Sequence, residues 1–276
     1  MTTTNIKQHI IPYIGETTPY ISIPDHIILK NNKIETELIN CNLENENFSN
    51  LLKTLASLGS CSLYQLLNNT TNEKIYFLGE KLRIRKTSYK TIPNSVSIVG
   101  ESKLESKRRG KSYLTVKDLV SEETLYTFEL DYYIIPKETF KVLYKNYFEP
   151  DYISYYDEKL PKSKITQTLS ENQFVIDIDP FTTNQCKGHF ENYPIVPFVF
   201  VTNCILREIF NSFSFSNSYE IDSLEGYPLK AIPIHTQLKV DVFHQKFLKD
   251  LTYFKCEIKD YSETSYAVLI IHIKSI

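Results

Sequence analysis

The sequence predicts an α+β fold of two tandem units, each an antiparallel β-sheet wrapped around one central helix. Three observations carry this expectation. The chain repeats itself in a fixed frame, each copy holds one helix with apolar spacing, and long β-branched and aromatic strands follow each helix.

The repeat comes first. Setting Ile92-Pro93 over Ile232-Pro233 shifts the chain by 140 positions (232 less 92). In that frame Tyr113 falls on Tyr253, Glu123-Thr124 on Glu263-Thr264, and Tyr126 on Tyr266. Apolar positions agree too: Ile98 with Leu238, Phe128 with Val268, Leu130 with Ile270. Upstream, Ile34-Glu35-Thr36-Glu37-Leu38 lies over Phe174-Val175-Ile176-Asp177-Ile178. Each match alone is weak, but their shared frame indicates a duplication.

Each copy has the same layout. A short alternating strand, 33–39 or 173–179, precedes a helix, 48–67 or 198–213. The helices rest on apolar spacing: Leu51, Leu52, Leu55, Leu58 and Leu66 in one, Val201, Ile205, Ile209 and Phe213 in the other. Strands are expected at 96–104, 112–120 and 124–134, and again at 237–243, 251–260 and 265–273, where Val, Ile, Tyr, Phe and Thr suit a pleated, half-buried surface. Arg109-Gly110 and Lys249-Asp250 are expected hairpin turns. The first unit is placed at 1–140 and the second at 165–276. The tyrosine-rich segment 141–164 links them and is expected to pack on the surface.

Composition narrows the function classes. Hydrophobic residues at 42% and charged residues at 23% belong to a globular protein, and a net charge of −2 gives no field directed at nucleic acid or an anionic membrane. No basic, apolar leader opens the sequence, and its longest apolar runs are short and interrupted by proline, so neither a secretory signal nor a membrane span is expected. Five scattered cysteines without a CxxC pair argue against a disulfide framework or a zinc site and suit a reducing cytoplasm. His235, His244 and His272 lack metal-ligand spacing, so no metal is expected.

The copies differ between strand and helix. There Phe48 aligns best with Phe198, so the second copy carries an added loop, CKGHFENYPIVPF. Gly188-His189-Phe190 followed by Pro194-Ile195-Val196-Pro197 resembles the GHFPGxPIxPG segment of the FabZ/FabA-type 3-hydroxyacyl-carrier-protein dehydratases. Those are hotdog proteins, so the resemblance implies a tandem double hotdog with a histidine loop only in its second unit. Ile11-Pro12 and the strand around Ile34 resemble that family's opening segment.

The resemblance implies water elimination from a 3-hydroxyacyl thioester, in fatty-acid or polyketide-type biosynthesis, with no cofactor beyond the phosphopantetheine of a carrier protein or coenzyme A that presents the substrate. His189 is the implied base. A positioned base or acid contributes about 10²–10⁴-fold to such a step. Gly188, Phe190 and Pro197 would shape the substrate site, and the backbone N–H groups of Phe198 and Val199, at a helix start, would polarise the thioester carbonyl.

The family's helix acid falls at Asn203, which can hydrogen-bond but cannot donate an acidic proton. Because histidine and acid come from opposite units in that family, Lys53 on the first helix is the other candidate. A lysine serves as an acid only with a pKa lowered by burial. Glu44 and Glu46 are alternative carboxylates. Phe198 replaces a customary glycine and narrows the acyl entrance. Cys186 and Cys204 flank the loop as ordinary core cysteines.

The basic run Lys103, Lys107, Arg108, Arg109 and Lys111 is a solvated hairpin or a dock, with Lys107, Arg108 and Arg109 meeting an acidic acyl carrier protein. The implied partners are that carrier, together with another hotdog protein or a second copy of the chain. Two other readings stand beside the dehydratase. One is a degenerate hotdog protein that binds an acyl carrier or a hotdog partner without catalysis. The other is a thioesterase, which needs a positioned water and a group to activate it.

Overall fold

The computed structural model describes residues 9–21, 23–24, 26–30, 32–39, 41, 48–67, 72–88, 93–150, 155–213 and 219–275. The first half contains β1 (Ile27–Lys30), β2 (Lys33–Leu38), helix α1 (Phe48–Leu66), β3 (Ile75–Lys86), β4 (Val96–Ser106), β5 (Arg109–Asp118) and β6 (Thr124–Pro136). Helix α2 (Lys137–Leu143) connects to the second half. There follow β7 (Ser163–Ser170), β8 (Gln173–Ile178), β9 (Ile195–Val196), helix α3 (Phe198–Ser212), β10 (Tyr219–Pro228), β11 (Ile232–Pro233), β12 (Leu238–Lys246), β13 (Leu251–Asp260) and β14 (Ser265–Ser275).

One antiparallel sheet of 12 strands runs through the molecule in the order β1-β2-β4-β5-β6-β3-β10-β14-β13-β12-β8-β7. The second six strands repeat the order of the first six in reverse, so the halves are mirrored about the β3–β10 seam. At that seam Ser223 lies opposite Arg85 and Gly226 opposite Leu82. Ion pairs reinforce it: Arg83 Nε meets Glu225 Oε1 at 2.9 Å, and Lys86 pairs with Glu220.

Each half folds around its helix. The strands alternate as a half-buried sheet requires: Leu114 and Val116 on β5, and Val240 and Val242 on β12, are buried, with more exposed residues between them. Helix α1 is buried on nearly every side, including Ser57, Ser60 and Ser62, and it touches both the sheet and α3. Close contact explains Gly110. A Cβ there would lie 2.5 Å from Leu63 Cδ2, so the strand can pass α1 only without a side chain.

This corrects the expected turn at Arg109-Gly110: both residues are in β5, and Lys107-Arg108 make the turn. The turn at Lys249-Asp250 lies between β12 and β13 as expected. The strands β3 and β10, which form the seam, were not among the expected elements. Glu44 and Glu46 lie outside the described residues.

The connecting segment packs firmly at its start. Phe140 of α2 is fully buried and stacks on Tyr76 with ring centroids 3.7 Å apart. Phe190 and Tyr193 of the histidine loop meet it edge-on at 5.3 and 5.1 Å. At the other end of the chain, the N-terminal segment runs along β3. Ile14 bridges Ile75 in parallel, and the Gly15 N–H donates to the Ile75 carbonyl at 2.9 Å.

Candidate functional site

A cavity of about 360 Å³ opens beside the seam between the halves. Its floor includes the buried residues Glu16, Tyr20 and Tyr132, together with His189, while Leu229 and Lys230 mark an exposed rim. The floor draws on both halves of the chain. Glu16 and Tyr20 come from the N-terminal segment, Tyr132 from β6, and His189 from the added loop.

The loop is fixed by its own polar contacts. Buried Gln185 accepts from the Thr182 N–H at 2.8 Å and donates its amide to the Lys159 carbonyl. Gly188 has φ +85°, a conformation open to glycine, and its carbonyl accepts from the Thr17 N–H at 2.7 Å. That bond sets the loop against the segment bearing Glu16.

His189 is enclosed by protein yet keeps some surface toward the cavity. Its ring lies 4.1 Å from Phe190 and 4.8 Å from Tyr20, centroid to centroid. Nδ1 lies 2.9 Å from the Ile195 carbonyl. A carbonyl only accepts, so Nδ1 carries the proton and Nε2 presents a lone pair. Burial lowers the His189 pKa to about 4, opposed by the bond to Ile195. The ring is therefore neutral at pH 7.

Glu16 has the opposite displacement. Burial raises its pKa to about 7, against the pull of a hydrogen bond from Ser57 Oγ at 2.9 Å and of the Lys53 charge. A carboxyl that ionises near neutrality is a better base than an ordinary carboxylate and a better acid than lysine. Lys53 sits one helical turn before Ser57, with Nζ 5.4 Å from the centre of the Tyr20 ring, and burial lowers its pKa. Tyr132 donates its hydroxyl to the Ala56 carbonyl at 2.7 Å.

The structure thus gathers His189, Gly188, Phe190, Pro197, Phe198 and Val199 at or beside one cavity, and it brings Lys53 to the edge of the Glu16–Tyr20 cluster. Pro197 caps α3, and Phe198 and Val199 line the cavity at the helix start. Asn203 lies further along α3 and is not among the lining residues. Cys186 and Cys204 are fully buried, and burial pushes both thiols up, away from the reactive thiolate. Among the described residues no three His, Cys, Asp or Glu side chains gather as metal ligands, and no helix is long and apolar enough to cross a membrane.

Glu16, Tyr20, Ser57 and Tyr132 were not anticipated. The one signal for Glu16 was a single carboxylate in the otherwise uncharged stretch from Gly15 to Pro24.

The basic hairpin stands near the rim. Arg109 Nη2 contacts Glu80 Oε1 at 3.1 Å and lies opposite Tyr133 in the sheet, and both Glu80 and Tyr133 line the cavity. Lys107 and Arg108 are exposed in the turn.

No family model matches the chain, and no curated protein does. Solved structures do. A 12:0-ACP thioesterase from Umbellularia californica superposes with a TM-score of 0.61 at 8% identity, over 88% of this chain and 94% of that one. An acyl-ACP thioesterase from Bacteroides thetaiotaomicron gives 0.53 at 10% identity, covering 88% and 98%. An acyl-CoA thioesterase II from Mycobacterium marinum gives 0.51 at 8%, covering 90% and 94%. At such identities the likeness is one of fold. The fold is the hotdog α+β fold.

The neighbours also correct an expectation. They are thioesterases, which are hydrolases, so the 3-hydroxyacyl-thioester lyase implied by the GHF loop is overturned. A histidine loop beside a helix start does not by itself select elimination over hydrolysis.

Proposed function

We propose that the chain is a tandem double hotdog hydrolase of acyl thioesters, with the acyl chain presented on a carrier protein or coenzyme A. The mirrored strand order about β3 and β10 supports the tandem reading. The observation that carries the chemistry is the shared cavity of Glu16 and His189, whose pKa values are displaced in opposite directions to about 7 and about 4. One group exchanges protons near neutrality while the other stays neutral and accepting.

In the proposed reaction the thioester carbonyl lies at the start of α3, polarised by the N–H groups of Phe198 and Val199. The lone pair on His189 Nε2 holds one hydrogen of a water molecule. The Glu16 carboxylate takes the water's other proton as its oxygen bonds to the carbonyl carbon, and the carbonyl electrons move onto oxygen. When the carbonyl re-forms, the C–S bond breaks and the pair leaves on sulfur. Protonated Glu16 then gives its proton to the thiolate, so water and thioester become acid and thiol with no other reactant. Lys53 and Ser57 position and tune Glu16.

Thiol release from acyl-carrier-protein and acyl-coenzyme A substrates tests this reading, with Glu16→Gln and His189→Ala alongside the wild type. Hydrolysis that falls by about 10²–10⁴-fold in Glu16→Gln supports it. Hydrolysis unchanged in that variant removes Glu16 from the mechanism. Tight carrier binding with no thiol released from any substrate leaves a binding protein instead.

A further inference from the structure

One wall of the cavity is an aromatic ring seated on a glycine. Phe198 lines it from the start of α3, and its ring rests against Gly226 on β10. A Cβ at Gly226 would lie 2.5 Å from Phe198 Cε1 and 3.0 Å from Cζ. The absence of a side chain at 226 therefore lets the ring lie back on the sheet. Gly226 has no left-handed backbone to preserve, since Gly188 is the glycine with positive φ among the described residues. It sits inside β10, paired with Leu82 across the seam and Leu269 on the other side. An interior strand glycine costs stability and commonly marks a close approach, and here the approaching group is the ring.

Resting on the acyl-thioester reading above, we infer that Phe198, seated on Gly226, sets the length of acyl chain that the cavity accepts. The ring is half-buried, and the cavity that it lines also takes apolar Val199 from α3, Leu82 from β3, and Ile232 and Ala267. A hydrocarbon chain is the ligand that such a wall measures, because each methylene in contact changes affinity by about fourfold. Phe198 bounds the chain through its side chain. Its N–H, which serves the carbonyl, is unaffected by substitution of the ring.

The geometry gives two variants with opposite effects. Phe198→Ala removes the ring and lengthens the accepted chain. In Gly226→Ala the new methyl pushes the ring's far end into the cavity and shortens it. The double variant tests whether both act through one contact. With no ring to push, adding Gly226→Ala to Phe198→Ala leaves the lengthened preference in place.

The experiment measures binding of non-hydrolysable acyl-thioether analogues of coenzyme A, from butyryl to palmitoyl, and hydrolysis of the matching thioesters. The expected result is a shift to longer chains in Phe198→Ala, to shorter chains in Gly226→Ala, and a double variant that matches Phe198→Ala. Chains that bind the wild type while both single variants keep its length preference overturn the inference, as does a wild type that binds no chain of any length. Lengths that shift in binding while no thioester is hydrolysed sustain the wall and reject the hydrolase reading instead.

Discussion

Gly188 and Thr17 bring the two ends of the site together. The Thr17 N–H donates to the Gly188 carbonyl at 2.7 Å, and a Cβ at Gly188 would lie 2.6 Å from the Thr17 carbonyl oxygen. The loop bearing His189 and the segment bearing Glu16 therefore lie closer than any side chain at 188 permits. Because φ is +85°, alanine is also strained there, by about 1–2 kcal/mol before the clash is counted. Gly188→Ala is expected to lose at least that much stability in a urea titration and to lower thiol release further than Phe190→Leu. Wild-type stability and turnover in Gly188→Ala would show that the loop and segment need not meet this closely.

The displaced pKa values of Glu16 and His189 predict a pH dependence in which two slopes oppose each other. Glu16 is raised from 4.5 to about 7, so between those values the folded protein holds the proton that the unfolded chain has lost. Its contribution is greatest below pH 4.5 and is lost as pH rises through 7, at a cost on the order of 3 kcal/mol. His189 is lowered from 6.5 to about 4, so its contribution is present above pH 6.5 and lost as pH falls through 4. Over roughly pH 4.5 to 6.5 the two cancel. Glu16→Gln removes one slope, and the variant is expected to lose stability steadily as pH falls from 6.5 to 4. Above pH 7 it should exceed the wild type in stability while failing to hydrolyse. Parallel stability curves for variant and wild type would contradict the assigned displacements.

Regular periodicity decides which parts of this fold can be read in sequence. Helix α3 begins where the apolar spacing places it, at Phe198, α1 occupies its expected stretch from Phe48 to Leu66, and β13 spans the expected residues. The seam strands β3 and β10 escape because charged residues interrupt their apolar alternation, Glu80 and Lys81 in one and Glu220 and Asp222 in the other. Other charged residues on the same strands, Arg83 and Glu225, pair with each other across the seam, a contact that no local pattern signals. His189 is legible because its loop has a local pattern of glycine and prolines. Glu16 is not, because its role arises from burial and from the backbone bond that joins the next residue, Thr17, to Gly188 in the other half of the chain.

Phe140 predicts that the connection between the halves supports the site. It is fully buried against Tyr76, Phe190 and Tyr193, and Phe190 stacks in turn on His189. Phe140→Ala is expected to cost about 3–5 kcal/mol, with part of the loss expressed as a looser histidine loop. Amide exchange should then accelerate at 186–195 more than in β12 and β13. Acceleration spread evenly over the chain would mean that Phe140 serves global stability alone.

The basic hairpin separates two ways of presenting the acyl group. Lys107 and Arg108 are exposed at the turn, and Arg109 is tied to Glu80 on the cavity lining, so a partner docked on the turn lies beside the rim. Reversing the charge at Lys107, Arg108 and Arg109 together is expected to raise KM for an acyl carrier protein by about tenfold or more, since exposed charges act through steered association. Rising salt should produce the same trend in the wild type, because screening weakens exposed charges. Kinetics with coenzyme A substrates are expected to change little, since the surface of an acidic carrier protein is then missing. An equal rise for both substrates would mean that the hairpin holds a phosphate that they share. No change for either would remove Lys107, Arg108 and Arg109 from substrate presentation and leave them as a solvated turn, with Arg109 retained for its contact with Glu80.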